Sequence, residues 1–203
     1  MLFDLDGVLL DTAPVLESCY MALAESLNVA PPSRAELREA VRMSPQAALR
    51  VLFGTRDVEQ RFIQLWRNKL SGVCTFNGIP EVLQELRRVN VTMGTVTSRN
   101  GTDTRALLGC VGLTGYMRTI ITWGHYRVAK PSPACIIAAL RDTDMPPSMA
   151  AYIGDQPEDI QAANRAGVIA VGAIWNPYAD KKQLKAAGAF AIIEKPIEIL
   201  HLG

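Results

Sequence analysis

The stretch Met1-Leu2-Phe3-Asp4-Leu5-Asp6-Gly7-Val8 decides how this chain is read. An apolar run enters two acids two positions apart, and a glycine follows. Alternate residues of a strand point to the same side, so both carboxylates face one site where such a strand ends. A pair of this kind holds a divalent cation through oxygen. It also divides labour, one acid as nucleophile and the other as proton carrier. The plainer reading is an Asp-Gly turn, and the sequence downstream decides between the two.

Working outward, short β-type runs recur between helical patterns. Residues 91–96 (Val-Thr-Met-Gly-Thr-Val) lead into Thr97, residues 119–122 form a third run, and residues 149–153 lead into Gly154-Asp155. Residues 168–173 make a fifth, and residues 189–193 an edge strand. Apolar spacing at Val82, Leu83, Leu86 and Val89 predicts a helix over 80–89. Ser132 and Pro133 open another over 132–140. Helices over 157–166 and 180–187 stop at Gly167 and Gly188. Strand alternating with helix argues for an α/β fold with a doubly wound parallel sheet.

Residues 12–75 break that rhythm with helical patterns and no convincing strand. One helix is predicted over 14–27. Ser33 and Glu36 form a capping box that opens a second. Ser44-Pro45 starts a third that ends near Gly54, and a fourth runs from Asp57 to Leu70. A block of about 60 residues exceeds ordinary loops. The expected division is therefore a core of residues 1–11 and 76–203 with a small all-helical insertion at 12–75.

With 49% apolar and 20% charged residues in 203, a sizeable core is expected. The net charge of +1 gives no footprint for nucleic acid, and no run reaches the roughly 18 apolar residues that span a bilayer. The four cysteines, Cys19, Cys74, Cys110 and Cys135, lack Cys-x-x-Cys spacing. They read as reduced thiols of a cytoplasmic protein, with no secretion signal ahead of them. His125 and His201 read as surface or loop residues.

Ligands of open parallel sheets sit beyond the carboxyl ends of the strands. Those ends deliver Asp4 and Asp6, then Thr97-Ser98-Arg99-Asn100, then Lys130-Pro131, then Asp155 and Asp159. Each has a plain explanation. Thr97 or Ser98 caps a helix starting near Gly101, Lys130 is solvated, and Asp155 or Asp159 sits at a helix start as favourable charge. Arg99, just past a strand end, is expected to face solvent.

Together, in this order, they resemble the four motifs of the haloacid dehalogenase superfamily in its phosphatase branch. The matching segments are Asp4-Leu5-Asp6-Gly7-Val8, Thr97, Lys130-Pro131, and Gly154-Asp155-Gln156-Pro157-Glu158-Asp159. Asp11-Thr12 is similar to the phosphoglycolate-phosphatase-like and β-phosphoglucomutase-like group, and the helical block resembles that group's cap domain. The resemblance implies a phosphatase for a small phosphorylated metabolite, with Mg2+ held by Asp4, the backbone carbonyl of Asp6, and Asp155, and with Asp159 in support. It assigns Asp4 as nucleophile and Asp6 as proton donor and acceptor. Thr97 holds a phosphoryl oxygen, and Lys130 offsets charge beside Asp4. A carboxylate at Asp6 sets the chain apart from dehalogenases proper. Substrate choice is expected in the cap, around residues 41–46.

Three other readings stay open: a sugar-phosphate mutase using the same residues, a phospho-accepting signalling module, and a relative that only binds. Receiver-type modules are shorter and lack a helical insertion after strand one. The sequence leaves monomer and dimer open.

Overall fold

The computed structural model describes residues 1–54, 58–124 and 128–202. Asp57, expected to open the fourth helix, and His125 lie outside the described residues. The chain divides into two compact units, Met1–Asp11 with Thr75–Gly203, and Thr12–Cys74.

The first unit is built on a parallel sheet. Its strands are β1 (Leu2–Phe3), β4 (Gly94–Asn100), β5 (Thr119–Trp123), β6 (Ala151–Gly154), β7 (Ile169–Ala173) and β8 (Ala191–Ile193). Their order is β5-β4-β1-β6-β7-β8. The chain fills one side of β1 and then crosses to the other, so β1 is the switch point where ligands of such sheets bind. Leu2 and Phe3 pair with Gly94 and Thr95 on one side and with Tyr152 and Ile153 on the other. This register sets the ends of β1 and β6 side by side, next to Thr95 and Val96 of β4, which runs on to Asn100. Two further strands of two residues, β2 (Leu10–Asp11) and β3 (Cys74–Thr75), lie where the chain leaves this unit and returns to it.

Helices α5 (Ile79–Arg88), α6 (Gly101–Cys110), α7 (Ala134–Asp142), α8 (Pro157–Ala166) and α9 (Lys181–Ala186) complete the unit. Leu2, Val96, Ile121, Ile136, Ala139, Ile160 and Ala163 belong to one buried cluster with Tyr152. Removing a Leu or Ile side chain of this size from water stabilises the fold by about 1.5–3 kcal/mol. That burial holds strands of only two to seven residues in place.

In the second unit, α1 is Ala13–Ser26, α2 Arg34–Val41, α3 Pro45–Phe53 and α4 Glu59–Lys69. The Ser33 hydroxyl accepts from the Glu36 N–H at 3.3 Å, and the Ser33 N–H donates to Glu36 Oε2 at 2.7 Å, which closes the capping box. Ser44 caps α3 by accepting from the Ala47 N–H at 3.3 Å. Tyr20 and Phe62 stack with ring centroids 5.1 Å apart, joining α1 to α4.

Three local features depart from expectation. The chain leaves the first strand after Phe3 and turns back on itself, with the Gly7 N–H bonded to the Leu10 carbonyl at 2.9 Å. β4 runs past Thr97 to Asn100, so neither Thr97 nor Ser98 caps α6; the Asn100 side chain does, accepting from the Asp103 N–H at 2.9 Å. Ser132 stands one residue too early to be the cap of α7, which starts at Ala134.

Candidate active site

Asp4 follows β1 directly, and its N–H still bonds the Ile153 carbonyl at 2.8 Å. Its backbone is therefore fixed against the sheet. Lys130, on the segment after β5, reaches back to meet it. An ammonium has three N–H donors, and three close acceptors surround this one. They are Asp4 Oδ1 at 2.7 Å, Asp159 Oδ1 at 2.6 Å and the Tyr152 hydroxyl at 2.8 Å. The Val96 carbonyl lies 3.4 Å away and also accepts from the Tyr152 hydroxyl, at 3.0 Å. Lys130 is thus no solvated loop residue.

Asp155 continues from β6, and Asp159 lies on the first turn of α8. Asp159 Oδ2 accepts from the N–H groups of Asp155 at 3.2 Å and Gln156 at 3.1 Å. Both Asp159 oxygens are engaged, one by the lysine and one by the motif backbone. Gly154 makes this possible, because a Cβ there would stand 2.2 Å from the Asp159 Cβ. Asp155 Oδ2 accepts from Gln156 Nε2 at 2.8 Å and from Asn176 Nδ2 at 3.1 Å. Asp155 Oδ1 is buried and, among the described residues, accepts no hydrogen bond. A buried carboxylate oxygen without a donor is costly, so this atom marks a place for a cation.

Asp4, Asp155 and Asp159 each offer a ligand oxygen, all within 4.8 Å of one another and all buried. Three acids around one ammonium leave excess negative charge. Burial pushes the Asp155 carboxyl up to about 7, and Asp159 adds to the rise. Burial likewise pushes Asp4 well above the usual carboxyl range, against the pull of Lys130, with Asp159 and Asp155 reinforcing it. For Lys130, burial alone favours the neutral amine, but Asp159 and Asp4 outweigh it and hold the ammonium well above its ordinary value. The lysine is therefore charged, and with all three acids ionised the pocket is two positive charges short. The donor set is all oxygen, as Mg2+ prefers. The residues fit the divalent cation that the resemblance implies.

Thr97 is buried in β4, one residue beyond Val96, and its hydroxyl accepts from the Arg99 N–H at 3.2 Å. Asp6 lies in the turn after Asp4. Its carboxylate takes a two-pronged contact from Arg99, Nε to Oδ2 at 3.1 Å and Nη2 to Oδ1 at 2.8 Å. Arg99 does not face solvent: its side chain is 11% exposed. The expectation failed because β4 continues through Arg99, and alternation along that strand turns it to the side of Thr97. Burial alone lowers the Arg99 guanidinium, yet the Asp6 carboxylate beside it holds the pKa above its ordinary value.

Arg99, named from the sequence only as a solvent-facing residue, Gln156, quoted in the fourth motif without a role, and Tyr152 and Asn176, not named at all, are the members of this constellation to which the sequence assigned no part. Arg99 is two positions from Thr97 and Tyr152 two from Gly154, so strand periodicity carries a signal for both. Asn176 follows the fifth strand, an end the residue census left out.

Fold and site together define a class: a doubly wound α/β enzyme with an acid-and-lysine centre at its switch point. Comparison gives the family. A model for haloacid dehalogenase-like hydrolases matches residues 1–173, and the chain belongs to that family. It is an enzyme whose relatives in sequence are named phosphatases of that family. A phosphoglycolate phosphatase from Xylella fastidiosa is 28% identical over 203 residues, 97% of this chain and 89% of its own. An N-acetylmuramic acid 6-phosphate phosphatase from Pseudomonas aeruginosa is 24% identical over 210 residues, 100% of this chain and 93% of its own. A candidate β-phosphoglucomutase from Thermotoga maritima shares the fold with a TM-score of 0.86 at 24% identity, over 99% of this chain and 96% of that one. Among the described residues, no helix is long and apolar enough to cross a membrane.

Proposed function

We propose that the enzyme is a magnesium-dependent phosphatase that hydrolyses a phosphate monoester of a small cytoplasmic metabolite through Asp4. The observation that carries this reading is the buried Asp4–Lys130–Asp159 chain beside an Asp155 oxygen that no donor among the described residues satisfies. Asp4, Asp155 and the Asp6 carbonyl would hold the cation. Bound there, Mg2+ offsets phosphate charge and aligns the ester.

The rest of the chemistry belongs to the chain. Lys130 engages Asp4 Oδ1, which leaves Oδ2 to attack phosphorus. The P–O bond to the alcohol breaks as the bond to Asp4 forms. Arg99 holds the Asp6 carboxylate ionised in the resting site, so in this reading Asp6 leaves Arg99 and takes up a proton from solvent as the ester binds, then gives it to the departing oxygen. Water then attacks the phosphoryl group on Asp4. Asp6 takes back a proton, phosphate leaves, and Asp4 is restored. Thr97 and the backbone N–H groups of the 97–100 segment hold a phosphoryl oxygen. Asp159 anchors Lys130 and the 155–156 backbone. None of these residues comes from the helical unit, which in this reading is a cap left with substrate choice.

The test is a turnover screen of phosphate monoesters, phosphoglycolate and N-acetylmuramic acid 6-phosphate among them, with and without Mg2+. Phosphate release that requires the cation supports the reading. Sugar-phosphate isomers interconverting without release would make the enzyme a mutase. A phosphoprotein stable for many minutes with no turnover would make it a signalling module.

A further inference from the structure

Asn176 lies on the segment after β7 and is 4% exposed. Its carboxamide is fully used, and its orientation is fixed by its partners. Oδ1 accepts from the N–H groups of Tyr178 at 2.8 Å and Ala179 at 2.9 Å. Nδ2 donates to the Gly7 carbonyl at 2.9 Å and to Asp155 Oδ2 at 3.1 Å. A reversed amide would aim Nδ2 at two N–H donors and Oδ1 at two acceptors. Trp175, its neighbour, donates Nε1–H to the Val8 carbonyl at 3.1 Å. Two consecutive residues thus pin two consecutive carbonyls of the turn that carries Asp6.

We propose that Asn176 is a positioning residue for the cation site, locking the Asp155 carboxylate and the Gly7 peptide into one unit. With Gln156, it saturates Oδ2 of Asp155 and turns the unsatisfied Oδ1 to the place where a cation is to sit. Through Gly7 it sets the peptide that follows the Asp6 carbonyl, the backbone ligand of the proposed site. Packing leaves no slack: Gly7 has φ +79, and a Cβ there would lie 2.5 Å from Asp155 Oδ2 and 3.1 Å from Asn176 Nδ2. Groups that orient metal ligands in this way contribute about 10–100-fold to metal affinity. The inference rests on the cation reading proposed above.

The test is Mn2+ binding by calorimetry and by the electron paramagnetic resonance signal of free Mn2+, on wild type, Asn176→Ala and Asn164→Ala. Asn164 ties the Ala187 and Gly188 carbonyls of the same unit, outside the site. The expected result is a Kd raised about 10–100-fold in Asn176→Ala and unchanged in Asn164→Ala. Turnover of Asn176→Ala is expected to recover at saturating cation, because Asn176 is assigned no contact with the ester. If Asn176→Ala does not fold, Asn176→Ser is measured in its place with the same expectation. A wild-type Kd in the Asn176 variant would overturn the inference and leave the cation reading standing. Wild-type protein that takes up no Mn2+ would overturn both.

Discussion

Replacing Asp159 with asparagine probes the buried lysine and its anchor. The side chain is 3% exposed and nearly isosteric with its replacement. Its two oxygens serve opposite sides: Oδ1 accepts from Lys130 at 2.6 Å, and Oδ2 accepts from the Asp155 and Gln156 N–H groups at 3.2 and 3.1 Å. Asparagine has one acceptor and one NH2 group. With its oxygen toward Lys130, the NH2 meets two backbone donors; with its oxygen toward the backbone, the NH2 meets an ammonium. No rotamer avoids a donor facing a donor. Removing one partner of a buried ion pair costs about 3–5 kcal/mol. Relief of crowding on Asp4 and Asp155, whose carboxyls Asp159 pushes up, places the loss near the lower end, about 3 kcal/mol. At about 2–4 °C per kcal/mol for a chain of this size, Tm should fall by about 6–12 °C. Circular dichroism melts at pH 7 without divalent cations measure it. A midpoint within about 2 °C of wild type would refute the assignment of Asp159 as the lysine's anchor.

Two further outcomes follow from the same network. Asp155 titrates near 7 in the folded protein and near 3.8 when unfolded, so the folded state binds the extra proton between those values. Stability of the cation-free protein should therefore fall as pH rises from about 4 to about 7. Mg2+ should reverse that slope, because it favours the ionised carboxylate; urea midpoints across this range, with and without Mg2+, check the sign. Tyr152→Phe removes an acceptor from Lys130 and a donor from the Val96 carbonyl. It should cost about 1–3 kcal/mol in urea unfolding and lower kcat more than KM, since the hydroxyl steadies the lysine and not the ester.

The doubly wound sheet was legible because β-branched runs and capped helices alternate outside residues 12–75, and the register of β1 then brings Asp4 level with the end of β6 and with Val96 of β4. Ser33, Ser44 and Gly167 mark helix ends for local reasons, and local reasons survive folding. Asp4, Lys130 and Asp155 were legible as charged residues at strand ends. Arg99 was not, because its burial depends on β4 outrunning its apolar run by four residues, and pairing of Asn100 with Trp123 decides that. Tyr152 reads as an ordinary core aromatic until Lys130 arrives from another segment. Asn176 looks like a loop residue, since its partners Gly7 and Asp155 are remote in sequence. These are long-range pairings that no window of local sequence contains.

The central claim is that the Asp4 carboxylate takes the phosphoryl group. Acid quench during turnover, followed by peptide mass spectrometry, reads this directly. A phosphoryl mass on Asp4, lost in Asp4→Asn together with turnover, is the predicted result. Wild-type turnover in Asp4→Asn, or a phosphoryl group found on another side chain, would contradict it.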